Sequence, residues 1–230
     1  MFLFNKSYPI DFKGFIDCHS HILPGVDDGV QKIEDSLLIL EEYERMGITE
    51  VVFTPHIMED VPNTPQDLRK RFDEFLQVYT GPVKLHLAAE YMIDHHFEAL
   101  LESRDLLTHC DSTHILVETS YFNPPVNMDR ILFELQSAGY EPILAHPERY
   151  MYMKMEEYAM LKEKGIILQM NLGSLAGIYG NHVQQRAEYL LKNGLYSMAG
   201  SDIHRYRMIE AYKSIRLRKG MRIPLPFHMI

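Results

Sequence analysis

The sequence predicts an α/β protein whose chain forms one closed or nearly closed parallel β/α barrel, with a polar cluster at the C-terminal ends of its strands. Three observations carry that expectation. Aliphatic and β-branched runs recur seven times, amphipathic segments lie between them, and no Pro/Gly/Ser-rich linker divides the 230 residues. Glycines stand where helices should end before such runs, in RMGITEVVFTPH (45–56), SAGYEPILAHPER (137–149), EKGIILQMNLGS (163–174) and KNGLYSMAGSDIH (192–204). Most runs also lead into a side chain able to bind a metal ion.

Taken in order, the first strand is expected over 14–19 and runs into DCHSHILPGVDDG (17–29), which crowds His19, His21, Asp27 and Asp28 behind it. A helix follows whose core face is Ile33, Leu37, Leu40 and Tyr43. The second strand, 50–55, delivers His56. The next helix opens with Thr64 as N-cap, Pro65 at its first position and Asp67, and it buries Leu68, Phe72, Phe75 and Tyr79. Strand three (83–90) ends at Glu90, strand four (114–119) at Glu118 within VETS, and strand five (141–146) at His146 within AHPER. Strand six (166–171) offers Asn171 and Ser174 to the mouth, and strand seven (196–201) leads into Asp202 and His204. One domain is expected over 1–230, with an N-terminal extension of 1–13 and a tail of 220–230.

With 46% apolar residues the chain can bury a sizeable core, and a net charge of -9 without a long Lys/Arg run argues against nucleic acid or an anionic membrane surface as the main partner. Cys18 and Cys110 make neither a disulfide framework nor a CxxC pair. The N-terminus has no basic n-region or sustained apolar h-region and no run reaches membrane-spanning length, so a cytoplasmic location is expected.

Residues two apart in an extended chain point the same way, so His19 and His21 can present two imidazoles to one ion while Cys18 and Ser20 face elsewhere. An HxH pair alone says little. Ligand-type residues at six of seven expected strand ends say much more, because on a barrel those ends converge. Imidazoles mixed with carboxylates suit zinc, manganese or iron better than calcium or a structural zinc. Five imidazoles and four carboxylates exceed the needs of one ion and match two or three. Asp27 is expected to shape the turn with Gly25 and Gly29 while Asp28 ligates. His86, His95, His96, His109, His114, His182 and His228 fall outside the set. A cysteine-dependent phosphatase would need an arginine closing the phosphate loop after Cys18 or Cys110, where the chain has Pro24 and Leu116. Tyr121, Phe122, Tyr150, Tyr152 and Tyr206 follow ligand-bearing strands and are candidates either to wall an aromatic slot or simply to cover the rim.

The ordered set CHSHILPGVDDG, FTPHI, AAEYMI, ILVETS, AHPERY, QMNLGSLAG and GSDIH resembles the PHP (polymerase and histidinol phosphatase) superfamily over residues 15 to 207. Within it, the chain is similar to the bacterial manganese-dependent protein-tyrosine phosphatases encoded beside capsule and exopolysaccharide tyrosine kinases. The resemblance implies a distorted seven-stranded barrel with two to three divalent ions, manganese foremost and iron or zinc compatible. It implies one ion on His19, His21, Glu90 and Asp202, a second sharing Glu90 and adding Glu118 and His146, and a third on Asp28, His56 and His204. Arg149 matches the family's phosphate-facing arginine. Arg205 and Arg207 both stand where a further arginine follows GSDxH, and Arg207 is taken as the candidate.

Hydrolysis of phosphotyrosine on a protein is the implied activity, with the tyrosine-rich tail of a membrane-anchored kinase as substrate and a metal-bound hydroxide as nucleophile. Three divalent ions against Asp28, Glu90, Glu118 and Asp202 would leave a local charge of about plus two within an acidic chain. A phenol of pKa about 10 needs little protonation on leaving, with Asp202 or a bound water able to assist. The competing expectations are a small-molecule phosphatase of the histidinol-phosphate type and a non-catalytic binding module.

Overall fold

A computed structural model describes residues 7–224; positions 1–6 and 225–230, at the two ends of the expected extension and tail and including His228, lie outside them. The chain begins with β1 (Ser7–Pro9), β2 (Ile16–Ser20), α1 (Ile33–Met46), β3 (Glu50–Phe53), β4 (His56–Ile57), α2 (Pro65–Leu76), β5 (Lys84–Leu87), β6 (Glu90–Met92) and α3 (His95–Ser103). It continues through β7 (His114–Glu118), α4 (Met128–Ser137), β8 (Glu141–Leu144), α5 (Met155–Glu163), β9 (Ile167–Asn171), α6 (Leu172–Leu175), α7 (Asn181–Lys192), β10 (Met198–Gly200), α8 (Met208–Ser214) and β11 (Arg216–Arg218).

Local chemistry accounts for the helices. Thr64 caps α2 by accepting from the Asp67 N–H at 3.1 Å, with Pro65 in the first turn, and α1 stops at Gly47 with φ 83. Leu40, Tyr43, Leu68, Phe72 and Phe75 are buried, as the helical spacing predicts.

All seven expected strands form, but the second and third are each interrupted. β3 pairs with β2 and β5 with β3 in a three-stranded parallel sheet ordered β2-β3-β5, whereas β4 and β6 begin a six-stranded one ordered β10-β9-β8-β7-β6-β4. Pro55 has no N–H to extend the second strand, and the Thr54 N–H turns to the Ser20 carbonyl at 2.8 Å instead. The curled sheets meet again at the C-terminal end, where Asp202 N–H donates to the His19 carbonyl at 2.8 Å and His21 N–H to the Ile203 carbonyl at 3.0 Å. At the other end no ladder joins β5 to β7 among the described residues, and a 3-10 turn over His109–Asp111 packs against both. The result is a distorted half-open α/β barrel.

The main core lies between strands and helices and includes Tyr43, Phe53, Tyr91, Phe97 and Tyr158. A second cluster, Cys18, Leu116, Ile143, Ala145 and Met198, gathers residues of four different strands and their ends. The sequence pattern did not predict β1 and β11, which pair antiparallel with Tyr8 opposite Leu217. Each is only three residues long, too short for a periodic signal, and Pro9 argues against a strand except at an edge.

Candidate metal centre

β2 and its continuation bring His19 and His21 into the barrel mouth, both 1% exposed or less. His19 Nδ1 lies 2.7 Å from Gln169 Oε1, an acceptor, so the ring proton sits there and Nε2 is left as a lone-pair donor. His21 is set the same way by Asp27, whose Oδ2 is 2.8 Å from its Nδ1. The two Nε2 atoms then lie 3.1 Å apart, a spacing that suits two ligands of one ion.

Glu90, at the start of β6, is the hub. Its Oε2 lies 3.2 Å from His19 Nε2, 3.3 Å from His21 Nε2 and 3.2 Å from His56 Nδ1, and its Oε1 lies 2.9 Å from His146 Nε2. Glu118, at the end of β7, approaches His56 Nδ1 at 3.1 Å and His146 Nε2 at 3.7 Å. Asp202 turns Oδ1 toward His19 and His21 at 3.5 and 3.3 Å. Asp28, exposed at the outer side, reaches His56 Nε2 at 3.5 Å and His204 Nε2 at 3.4 Å. His146 and Asp202 both have positive φ, 33 and 53, so two of these side chains are aimed by backbone in a region that costs non-glycine residues energy.

Four groups of donors result: His21, Asp28, His56 and His204; His19, Glu90 and His146; His19, His21 and Asp202; and His56, Glu90 and Glu118. Within each, the donor atoms lie within 4.8 Å of one another. Together they contain the nine residues expected from the sequence. Buried His56 Nδ1, Glu90 Oε2 and His146 Nδ1 lack a hydrogen-bond partner, although two of these atoms face the cluster at close range. Burial works against charge throughout, yet His19 holds the Glu90 and Asp202 carboxyls well below their usual range, and Asp27 holds the His21 imidazole well above its own. His56, despite burial and its neighbour His21, is pushed up to about 10 by the nearby Asp28 and Glu118 carboxylates. Shared protons balance the carboxylates in this arrangement, and divalent cations fit the same imidazole and carboxylate donors in their place.

Beside the cluster lies Arg149, from the 3-10 turn after β8. Its Nη1 donates to Asp202 Oδ2 at 2.9 Å, and its Cζ stands 4.2 Å from the Tyr121 ring centre and 4.1 Å from that of Tyr179. Arg205 and Arg207 are exposed, and neither forms an ion pair among the described residues; the structure does not draw Arg207 into the cluster's contacts. Of the aromatic candidates, Tyr150 is wholly buried, Tyr121 lines the Arg149 side, and Phe122 and Tyr206 are exposed. Asp27 does shape the turn, accepting the Gly29 N–H at 2.9 Å, and also orients His21. Cys18 is buried, and burial raises its thiol well above the usual range, which disfavours the thiolate a cysteine nucleophile needs.

Gln169, Tyr179 and Asp17 were not among the site residues expected from the sequence. Asp17 is a buried carboxylate that takes the Ser201 N–H at 2.7 Å and the Tyr43 hydroxyl at 2.7 Å, tying β2 to the segment that carries Asp202. Its place two residues before the HxH was the available signal; Gln169 and Tyr179 left none.

Residues 15–220 match the family described as capsular polysaccharide synthesis, CpsB/CapC. The tyrosine-protein phosphatase YwqE of Bacillus subtilis is 33% identical over 195 residues, covering 82% of this chain and 77% of its own. The tyrosine-protein phosphatase CpsB of Streptococcus pneumoniae is 30% identical over 202 residues, 82% of each chain. A crystal structure from the work on YwqE of B. subtilis and CpsB of S. pneumoniae, described there as unique metal-dependent tyrosine phosphatases, superposes with a TM-score of 0.77 at 31% identity over 85% of this chain and 81% of that one. The chain belongs to the CpsB/CapC family.

Proposed function

We propose that this member of the CpsB/CapC family is a metal-dependent phosphatase acting on phosphotyrosine in a protein, with manganese as its working ion. Its proposed substrate is the phosphorylated tail of a membrane-anchored tyrosine kinase of a capsule or exopolysaccharide system. The observation that carries the reading is the convergence of nine imidazole and carboxylate side chains beside one guanidinium. Similarity to tyrosine-protein phosphatases over more than four fifths of this chain supports the choice of ester. No helix among the described residues is long and apolar enough to cross a membrane.

A phosphate monoester is a dianion, and its hydrolysis needs charge neutralisation and an activated nucleophile. Divalent ions supply Lewis acidity and an activated water. We assign His19, His21, Glu90 and Asp202 to one ion, Glu90, Glu118 and His146 to a second, and Asp28, His56 and His204 to a third. Gln169 and Asp27 keep the Nε2 lone pairs of His19 and His21 aimed inward. Arg149 is assigned to the phosphoryl oxygens, where a planar guanidinium gives charge-assisted bonds. Asp202 is held ionised and accepts three donors on Oδ2, which favours ion binding over proton donation. A phenolate of pKa about 10 leaves without a dedicated acid.

The test compares kcat/KM for a phosphotyrosine peptide, a phosphoserine peptide and histidinol phosphate at one pH and one manganese concentration. The phosphotyrosine peptide is expected to be preferred, and verified metal-free protein to be inactive. Arg149→Ala should lose roughly 10²-fold in kcat/KM while its metal content stays unchanged. Preference for histidinol phosphate would overturn the protein-substrate reading.

A further inference from the structure

We infer that Tyr179 is a positioning residue for Arg149: its ring, together with that of Tyr121, forms a slot that holds the guanidinium, while Asn171 and the Tyr179 hydroxyl hold Asp202 when Arg149 turns to phosphate. The inference rests on the phosphate-facing role of Arg149 proposed above.

Three donors converge on a single oxygen. Asp202 Oδ2 accepts from Arg149 Nη1 at 2.9 Å, from Asn171 Nδ2 at 2.6 Å and from the Tyr179 hydroxyl at 3.3 Å. A carboxylate oxygen has two lone pairs, so the third donor is in excess of what Oδ2 needs. Arg149 can therefore exchange Oδ2 for a phosphoryl oxygen while Oδ2 stays hydrogen-bonded, because the Asn171 and Tyr179 donors remain. Oδ1 keeps its orientation toward His19 and His21 throughout.

The rings restrict how the guanidinium moves. With the Tyr121 and Tyr179 ring centres 4.2 and 4.1 Å from Cζ, two aromatic faces contact the guanidinium and limit its excursions. Cation–π attraction in a mostly buried setting opposes its escape into water. Asn171 is itself fixed, since its Oδ1 accepts the Gly173 N–H at 2.6 Å, which leaves its amide nitrogen aimed at Asp202. Tyr179 comes from the segment between α6 and α7, so a loop after β9 reaches across to a side chain borne after β8.

Binding of inorganic phosphate to the manganese-loaded protein, followed by calorimetry beside metal analysis, gives a readout independent of turnover. Tyr179→Leu should weaken phosphate binding about tenfold with metal content unchanged, and Tyr179→Phe should restore most of that loss because it keeps the ring. Arg149→Ala and the Arg149→Ala/Tyr179→Leu double variant should bind phosphate equally within about twofold, since Tyr179 would have no guanidinium left to hold. Wild-type phosphate affinity in Tyr179→Leu, additive losses in the double variant, a Phe variant as weak as Leu, or metal lost in parallel would each overturn the inference. If phosphate affinity depends on Arg149 and Tyr179 as described but the wild type cleaves no phosphotyrosine peptide, the phosphatase reading falls and the positioning role stands. If the peptide is cleaved and phosphate affinity ignores Arg149, the positioning role falls alone.

Discussion

At Asp27 one carboxylate serves three groups: Oδ2 faces His21 Nδ1 at 2.8 Å and takes the His56 N–H at 3.1 Å, while Oδ1 takes the Gly29 N–H. It thus orients one candidate ligand, anchors the backbone of another and shapes the turn that presents Asp28. Asp27→Ala should weaken manganese binding by roughly 10- to 100-fold, the usual cost of removing such an outer partner. Metal titration checks this, with Asp11→Ala, an exposed residue before β2, as the control expected to bind normally. From the sequence, Asp27 was expected to shape the turn with Gly25 and Gly29 and Asp28 to ligate. The sequence could not show the tie to His21, which depends on how the turn folds back. Gln169 was beyond reach for a stronger reason: it touches His19 across 150 positions, and glutamine in a strand carries no ligand signal.

At the level of elements, strand ends were legible because helix-ending glycines, aliphatic runs and terminal polar residues repeat in phase. The interruption of the second strand could have been read from Pro55, but the switch of β4 and β6 to another sheet could not, since pairing partners are set by barrel curvature. Gly200 marks a tighter constraint. A Cβ there would lie 2.3 Å from His19 Cβ and 2.9 Å from the His19 N, so the last residue of β10 must have no side chain for the two strands to close. Gly200→Ala should destabilise by about 2 to 3 kcal/mol or more, the scale of overpacking in a dense core, and should also lower metal content by shifting His19. Gly139→Ala is the matched contrast. With φ 92 and nothing within 4 Å, it meets only backbone strain and should cost about 1 kcal/mol with metal content unchanged. Urea unfolding and metal analysis of both variants separate the two effects.

The molecule as a whole is closed at one end and split at the other. Backbone bonds from Asp202 and His21 join β2 to the end of β10 around the metal centre, while the gap between β5 and β7 is covered by the turn that carries His109. His109 is fully buried, and its Nε2 donates to the Cys18 carbonyl at 2.9 Å, one residue from His19. Gln169 Nε2 shares that carbonyl at 3.3 Å, so the covered end and the metal end meet at one strand residue. Sequence reading placed His109 outside the ligand set, which agrees with its contacts, but its reach to β2 follows from topology alone. Burial pushes its pKa down to about 4, against the hydrogen bond to Cys18, from an ordinary value near 6.5. Because the folded value is the lower one, the unfolded chain binds the extra proton: the neutral form's stability is intact above pH 6.5 and is lost as pH falls toward 4. The full difference is on the order of 3 kcal/mol. His109→Gln keeps a neutral donor for the Cys18 carbonyl but cannot take up a proton. Metal-free wild type should therefore lose up to about 3 kcal/mol more than the variant between pH 7 and 4, measured by urea unfolding at each pH. Parallel stability curves would mean that His109 does not couple acid to the closing of the barrel.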